Sequence, residues 1–174
     1  MKCVRSALLF TILATAGSSA AALDSDSKQP MYIEANSATY DEAKGETVYI
    51  GDVKTIQGSL EVYSDQMTVY QKEGKTDKIV ATGNPVRLKQ TPEGAKEDMH
   101  GTSQRAEFFP ETGLLILLDK ALVWQGDTPD LSNRVASDRI EYDSRKSVMK
   151  AGVPAGSGKR VRVTLPPSEK APAK

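Results

Sequence analysis

A short strand-forming unit occurs four times in the chain, and no other feature restricts its fold as strongly. The unit begins with an apolar residue, continues with a small residue and a polar amide or acid, and ends in alternating apolar or aromatic residues. The copies span residues 33–41, 62–70, 101–109 and 135–143. The third copy is weaker, because Gly101 takes the first apolar position. Repeats of this kind indicate one supersecondary unit stacked on itself.

A second element alternates with the first. It occurs at residues 48–53, 80–86 and 115–121, and each copy is a strand, a tight corner and another strand. The first two copies place glycine at the corner, where it suits a sharp bend or a positive φ. Asp119 and Lys120 replace the glycine pair in the third copy, so we expect a looser corner there.

Together the two elements predict an all-β fold. Apolar residues alternate with a period of two, and no window shows the 3.6-residue period of an amphipathic helix. About sixteen short strands in one domain are typical of a sandwich, a jelly roll or a β-solenoid. The residues that we expect to face inward are Ile33, Val48, Ile50, Val53, Leu60, Val62, Met67, Val69, Val86, Leu88, Phe108, Leu115, Leu117, Val123, Ile140 and Tyr142.

The ends of the chain differ in character from the repeats. Residues 1–22 have the basic start, the short apolar run and the Ala-rich cleavage site of a signal peptide, which predicts export. The only cysteine, Cys3, lies in that signal, so the exported chain has no disulfide. Residues 23–29 are predicted to be a flexible leader, 30–165 the β-domain and 166–174 a disordered tail.

The composition argues against several classes of function. The chain is formally neutral, with 23 Lys and Arg against 23 Asp and Glu, so nothing favours a nucleic-acid partner. His100 is the only histidine, so we expect no histidine-based catalysis and no metal site. The glycine-rich segment 152–160 lacks the P-loop spacing and predicts a mobile hairpin loop. No catalytic residue and no cofactor are predicted.

Alternation by itself leaves three functions open. Mid-sized aliphatic side chains along one face could fill a closed core, and the protein would then be a structural β-repeat adaptor without a ligand. The same side chains could instead line a groove for acyl chains. Because carboxylates are frequent, a polysaccharide hydrolase or lyase on a β-jelly roll is a further alternative.

Several segments resemble one known family when they are taken in order. They are residues 29–36, 51–58, 64–65, 83–85 and 158–161. These segments are similar to the OstA-like family of periplasmic lipopolysaccharide-transport proteins, and the resemblance extends over nearly the whole exported chain. It implies a half-open, twisted β-jelly roll built from repeated antiparallel strand pairs. It also implies a protein of the periplasm that performs no bond chemistry.

The resemblance further implies the ligand and the partners. Lipid A acyl chains would lie in an apolar groove while the sugars of lipopolysaccharide stay in water. Protomers would join head to tail through their edge strands. An inner-membrane anchored LptC-like protein would bind the N-terminal edge, and an outer-membrane LptD-like protein would bind the C-terminal edge. The strand near residues 31–35 carries little guarding charge, and the strand near residues 161–165 alternates Val with Arg and Thr, which is consistent with two free edges.

Alternation and the resemblance together predict the residues of the site. The lipid-binding groove is expected to contain Met31, Ile33, Ile50, Val62, Val69, Leu88, Phe108, Leu117 and Tyr142. A small basic cluster near the C-terminus is a candidate for contact with anionic head groups, although such charges also guard an edge strand. Its members are Lys159, Arg160 and Arg162.

Overall fold

The structure is a computed structural model that describes residues 26, 28–91, 97–130, 132–146, 148–152 and 160–165. The predicted signal peptide, most of the leader, most of the glycine-rich loop including Lys159, and the tail 166–174 lie outside the described residues. Within the described part of the chain, no helix has the length and apolar character that crossing a membrane requires.

The described residues form one antiparallel sheet of ten strands. The strands are β1 (Met31–Glu34), β2 (Ser37–Asp41), β3 (Glu46–Gln57), β4 (Leu60–Lys72), β5 (Lys75–Gln90), β6 (Met99–Phe109), β7 (Leu114–Gln125), β8 (Arg134–Asp143), β9 (Val148–Ala151) and β10 (Arg162–Thr164). The six long strands β3 to β8 pair in sequence order, which gives a meander of hairpins. The tight turn between β4 and β5 has positive φ at Glu73 and Gly74, 51° and 73°, as two-residue hairpins prefer.

Each long strand is interrupted by a register shift, and the shifts lie side by side across the sheet. In β3 the shift falls between Ile50 and Val53, and in β7 it falls between Leu118 and Ala121. This line of corners divides the sheet into two arms, and so accounts for about sixteen short extended segments in ten strands. We call the arm that contains β1 and β10 the first arm, and the arm that contains β2 and β9 the second arm.

The corner at Asp119 and Lys120 forms without glycine. Both residues have positive φ, 61° and 54°, as do Gly51 and Asp52 at the corner of β3, 84° and 46°. The register shift occurs at the same place in both strands. Two consecutive left-handed residues therefore make both corners, and the loss of glycine does not remove the bend.

The inner faces of the two arms pack against each other. Buried side chains from both arms form one apolar cluster, which includes Val53 and Val86 of the first arm and Met67 and Ile140 of the second. A direct contact joins the arms near the corner, where the Thr55 hydroxyl donates to the Met67 sulfur at 3.3 Å. The core is therefore the space between the two halves of one folded sheet.

Four short strands end the sheet. β1 and β2 both pair with β3, one on each arm, and β9 and β10 pair with β8 in the same way. Each end of the sheet thus has an edge strand on both arms. The described strands do not close into a barrel, because the N-terminal and C-terminal edges do not pair with each other.

Asp26 departs from the flexible leader that we expected for residues 23–29. Its carboxylate is buried and accepts hydrogen bonds from the backbone N–H and the hydroxyl of Ser59 and from the amide of Gln90, at 2.7–2.9 Å. Three donors compensate the desolvation of this carboxylate. The leader is therefore anchored at Asp26 to the turn between β3 and β4.

Candidate functional site

Two neighbouring cavities lie between the arms, and both are almost entirely apolar. The larger has a volume of about 80 Å³ and is lined mainly by residues of β5 to β9. The smaller has a volume of about 50 Å³ and is lined mainly by residues of β1 and β3 to β6. Leu60, Leu88 and Leu115 line both cavities. The cavities therefore form one groove that narrows at these three leucines.

A row of directly opposed residues runs along the first-arm wall of this groove. It crosses every strand of that arm from the N-terminal edge to the C-terminal edge, and we call it the inner row. All of its members except Thr55 and Gly101 are aliphatic. The members are Ile33, Thr55, Val62, Leu88, Gly101, Val123, Val135 and Val163.

Most of the predicted groove residues lie on the inner faces. Met31, Val62, Leu88, Phe108, Leu117 and Tyr142 line one or both cavities. Ile33 and Val69 do not line a cavity, but both pack in the apolar cluster between the arms. The structure thus brings eight of the nine predicted residues together. Binding of lipid at these residues remains a prediction.

The placement of Ile50 in the groove was wrong. Its side chain is 51% exposed, while the neighbouring Tyr49 packs against the core. Successive residues of a strand point to opposite faces, so Ile50 and Val48 lie on the outer face. The two left-handed residues at the β3 corner keep odd-numbered residues facing inward on both sides of it, from Tyr49 to Val53. We had expected the corner to reverse the alternation.

The groove also contains residues that we did not assign to it. Leu60, Leu115, Val123 and Ile140 were expected to face inward, but they were not counted among the groove residues. The alternation that identified Leu88 and Tyr142 would have included them. Met99, Gly101 and Met149 were missed altogether, because two of them lie near strand ends and glycine carries no apolar signal. In the larger cavity these residues are Leu60, Met99, Gly101, Leu115, Val123, Ile140 and Met149, and its lining also includes Lys89, Gln90 and His100.

The two described members of the predicted head-group cluster do not reach the groove. Arg160 and Arg162 line neither apolar cavity, and together with Lys120 they border a polar cleft at the C-terminal end. Val163 pairs with Val135, which packs against the core, so the adjacent Arg162 belongs to the outer face. Contact between these arginines and anionic groups remains a prediction.

Charged pairs and aromatic contacts lie on the outer faces. On the second arm Arg105 bonds to Glu107 and Arg139 bonds to Glu141. On the first arm the ring of His100 stacks on Trp124, with centroids 5.1 Å apart. Among the described residues no group of three or more His, Cys, Asp or Glu could hold a metal ion. The groove itself offers apolar contact and space, which suit the chain of an amphiphile.

The fold and the groove together define an open β-jelly roll whose two arms enclose an apolar channel. A family model described as LptA/(LptD N-terminal domain) LPS transport protein matches residues 32–148. The lipopolysaccharide export system protein LptH of Pseudomonas aeruginosa is 31% identical over 94% of this chain and 95% of that protein. The chain therefore belongs to this family of LPS transport proteins.

Further comparisons agree with the family. The lipopolysaccharide export system protein LptA of Haemophilus influenzae is 29% identical and covers 100% of this chain and 99% of that protein. The crystal structure of the Pseudomonas aeruginosa LptH, described as a periplasmic component, superposes with a TM-score of 0.72 at 27% identity. It covers 82% of this chain and 99% of the LptH chain.

These findings decide three of the sequence predictions. The resemblance to the OstA-like transport proteins, the half-open β-jelly roll and the function in lipopolysaccharide transport are confirmed. The relatives carry the names of export proteins, which does not support a polysaccharide hydrolase, a lyase or an adaptor without a ligand.

Proposed function

We propose that the protein is a periplasmic bridge that moves lipopolysaccharide from the inner to the outer membrane, with the lipid A acyl chains held in the groove. The single observation that carries the proposal is the inner row, which extends from one free edge of the sheet to the other. An apolar wall that begins and ends at open edges suits a ligand that passes from one protomer to the next. The sugars would remain in water outside the groove.

The energetics of such a site favour binding without chemistry. Burial of an acyl chain contributes about 0.8 kcal/mol per CH₂ group, so even part of one chain gives useful affinity. A carrier must also release its ligand, and an apolar groove provides no charge or metal that would hold the lipid A chains more tightly. We therefore propose that the protein acts without catalysis, nucleotide or cofactor.

The edges support an end-to-end assembly. Val163 belongs to the inner row and is 60% exposed, because β10 is an edge strand with no neighbour on its far side. Ile33 lies at the other end of the same row, on β1. Pairing of β10 with the β1 of a second copy would continue the row and bury both edges. We propose the same mode for an LptC-like protein at the N-terminal edge and an LptD-like protein at the C-terminal edge.

Site-specific photo-crosslinking tests the lipid site. Probes at Ile33, Leu88 and Phe108 should trap lipopolysaccharide when the purified protein is incubated with it. Probes at Glu34 and Arg87, the exposed neighbours of Ile33 and Leu88 on the opposite face, serve as matched controls, because neither lines a cavity. Equal labelling of the two sets would reject the groove as the binding site.

Light scattering over a range of protein concentrations tests the assembly. Deletion of the chain from Val161 onward should abolish the oligomers that form with rising concentration. Val163→Asp should weaken them as well, because it places a charge in the inner row, whereas Arg162→Ala on the outer face should have little effect. Oligomers that survive both the deletion and Val163→Asp would refute the edge-strand joint.

A further inference from the structure

Gly101 occupies a position where neither the backbone nor the repeat calls for glycine. It lies inside β6, and its φ is outside the left-handed region that favours glycine. Glycine in a strand interior weakens the strand and removes a side chain that could pack. An ordinary residue could therefore adopt this backbone, and the reason for glycine must lie in the space around it.

The repeat shows which side chain is missing. Gly101 takes the first position of the third copy, and the corresponding residues of the other copies are Ile33, Val62 and Val135. All four belong to the inner row, on the face that packs between the arms. Gly101 is the only member of that row without a side chain. It leaves a gap near the middle of the wall, between Leu88 and Val123.

The opposite arm nearly closes this gap. A Cβ atom added to Gly101 would lie 3.3 Å from Leu117 Cδ1 and 3.6 Å from Leu88 Cδ1. Gly101, Leu88 and Leu117 all line the larger cavity. Both contacts are to the ends of leucine side chains, which can rotate, so the gap becomes deeper when Leu117 turns away. Gly101 therefore leaves space at the larger cavity that a valine, as in the second and fourth copies, would fill.

We propose that Gly101 is a specificity-determining residue that sets how many acyl chains the groove can hold. One chain of lipid A occupies the gap over Gly101 after Leu117 rotates, while another lies in the smaller cavity beside Val62 and Phe108. This inference rests on the proposed function, because it assigns the gap over Gly101 in the proposed groove to one acyl chain of the proposed ligand. It predicts that the two cavities differ in their response to substitution.

The test fills the gap with the side chain that the other repeats carry. Gly101→Val and Gly101→Ala are compared in the full exported protein with Thr102→Val, a near-isosteric change of the adjacent outward residue. Binding is measured with two probes, multi-chain lipid A and a fluorescent single-chain fatty acid. We expect Gly101→Val to weaken lipid A binding by about tenfold, which corresponds to about 1.4 kcal/mol. Fatty acid binding should change by less than about threefold, because Gly101 does not line the smaller cavity.

Thermal unfolding of the same variants distinguishes a loss of lipid binding from a loss of folding stability. If the gap serves the ligand, Gly101→Ala should unfold at or above the temperature of the wild-type protein, because it adds packing and restricts the unfolded chain. It should still weaken lipid A binding measurably. Thr102→Val should leave both probes unchanged.

Three results would overturn the inference. Unchanged lipid A binding in Gly101→Val would show that the gap holds no chain. Equal loss of both probes would show general damage to the groove. A large drop in the unfolding temperature of Gly101→Ala would assign glycine to the packing of Leu117. If the wild-type protein bound neither probe, the proposed function would fail first, and the two failures are therefore distinguishable.

Discussion

The two faces of β8 carry opposite chemistry on alternate residues. Ile140 points between the arms and is 2% exposed, while Arg139 and Glu141 on either side of it point outward and bond to each other at 2.7 Å. The same arrangement occurs on β6, where Ala106 faces inward between Arg105 and Glu107. One short repeat thus produces an apolar wall for the groove and a charged wall for water.

This comparison shows where the stability and the function of the fold reside. The inner face supplies the packing that holds the arms together and also the surface that we propose for the ligand. The outer face supplies partly exposed ion pairs at the boundary with water, and such pairs contribute little to stability. Changes on the inner face should therefore affect both stability and binding, and changes on the outer face should affect neither strongly.

The largest expected effect comes from truncation of an inner residue. Ile140→Ala should lower the free energy of unfolding by about 2–5 kcal/mol, because it leaves a cavity in the packed space between the arms. Urea denaturation measures the change. Ile50→Ala is the matched control, since the same residue type lies exposed on the outer face, and it should change the free energy by less than about 0.5 kcal/mol. Similar losses in the two variants would contradict the assignment of faces.

A smaller effect is expected from an outer ion pair. Arg139→Ala should lower the free energy of unfolding by about 0.2–1 kcal/mol. Arg139 and Glu141 keep exposed fractions of 33% and 31%, so water still screens part of their attraction. A double-mutant cycle with Glu141→Gln isolates the interaction, and added salt should reduce it. A coupling energy above about 2 kcal/mol would contradict this comparison, because the outer face would then contribute as much to the free energy of unfolding as the inner face.

The smallest effect concerns pH. A hydrogen bond from Thr91, together with the ammonium group of Lys89, holds the pKa of Asp98 below its ordinary value of 3.8. A carboxylate whose pKa is lowered by folding stabilises the folded state above its ordinary pKa, and this contribution is lost as the pH falls through the lowered value. We therefore expect a modest fall in unfolding temperature below about pH 4.

At alkaline pH, stability depends on pH with the opposite sign. The hydrogen bond to Asp98 raises the pKa of Lys89 above 10.5, so its contribution is present below that pH and is lost as the pH rises through the raised value. Asp98→Asn should reduce the loss of stability at both acid and alkaline pH. Asp77→Asn changes an exposed carboxylate and serves as the control. If the unfolding temperature of Asp98→Asn fell as steeply at acid pH as that of the wild-type protein, the pair would have no measurable role in stability.

Much of the fold could be predicted from sequence because it depends on local patterns. The period of two predicted strands, and the recurrence of the unit predicted a stacked all-β domain. The period of two also identified Val62 and Leu88 as inward residues, since Leu60 and Val62, and Val86 and Leu88, recur at every second position. The corner at Asp119 and Lys120 was harder to predict. Non-glycine residues seldom adopt positive φ, and nothing in the sequence distinguishes the two that adopt it here.

Other parts of the site could not be predicted in this way. Ile50 was assigned to the groove because alternation had to be carried across a corner, and a corner can either keep or reverse the face. Asp26 belongs to a polar segment, and only the turn at Ser59 and the side chain of Gln90 explain why it is buried. Gly101 has no apolar character, so a pattern of apolar residues passes over it.

The sequence by itself determined that the chain is a repeated β-structure with one apolar face and predicted that it is exported, because export signals and alternation are properties of short segments. The tertiary structure decided which residues meet across the groove. A strand corner decides to which face of the sheet the side chains beyond it point. The contact of Gly101 with Leu117 joins two arms that become adjacent only after the sheet folds. The width and depth of the groove therefore depend on distances that no single segment contains.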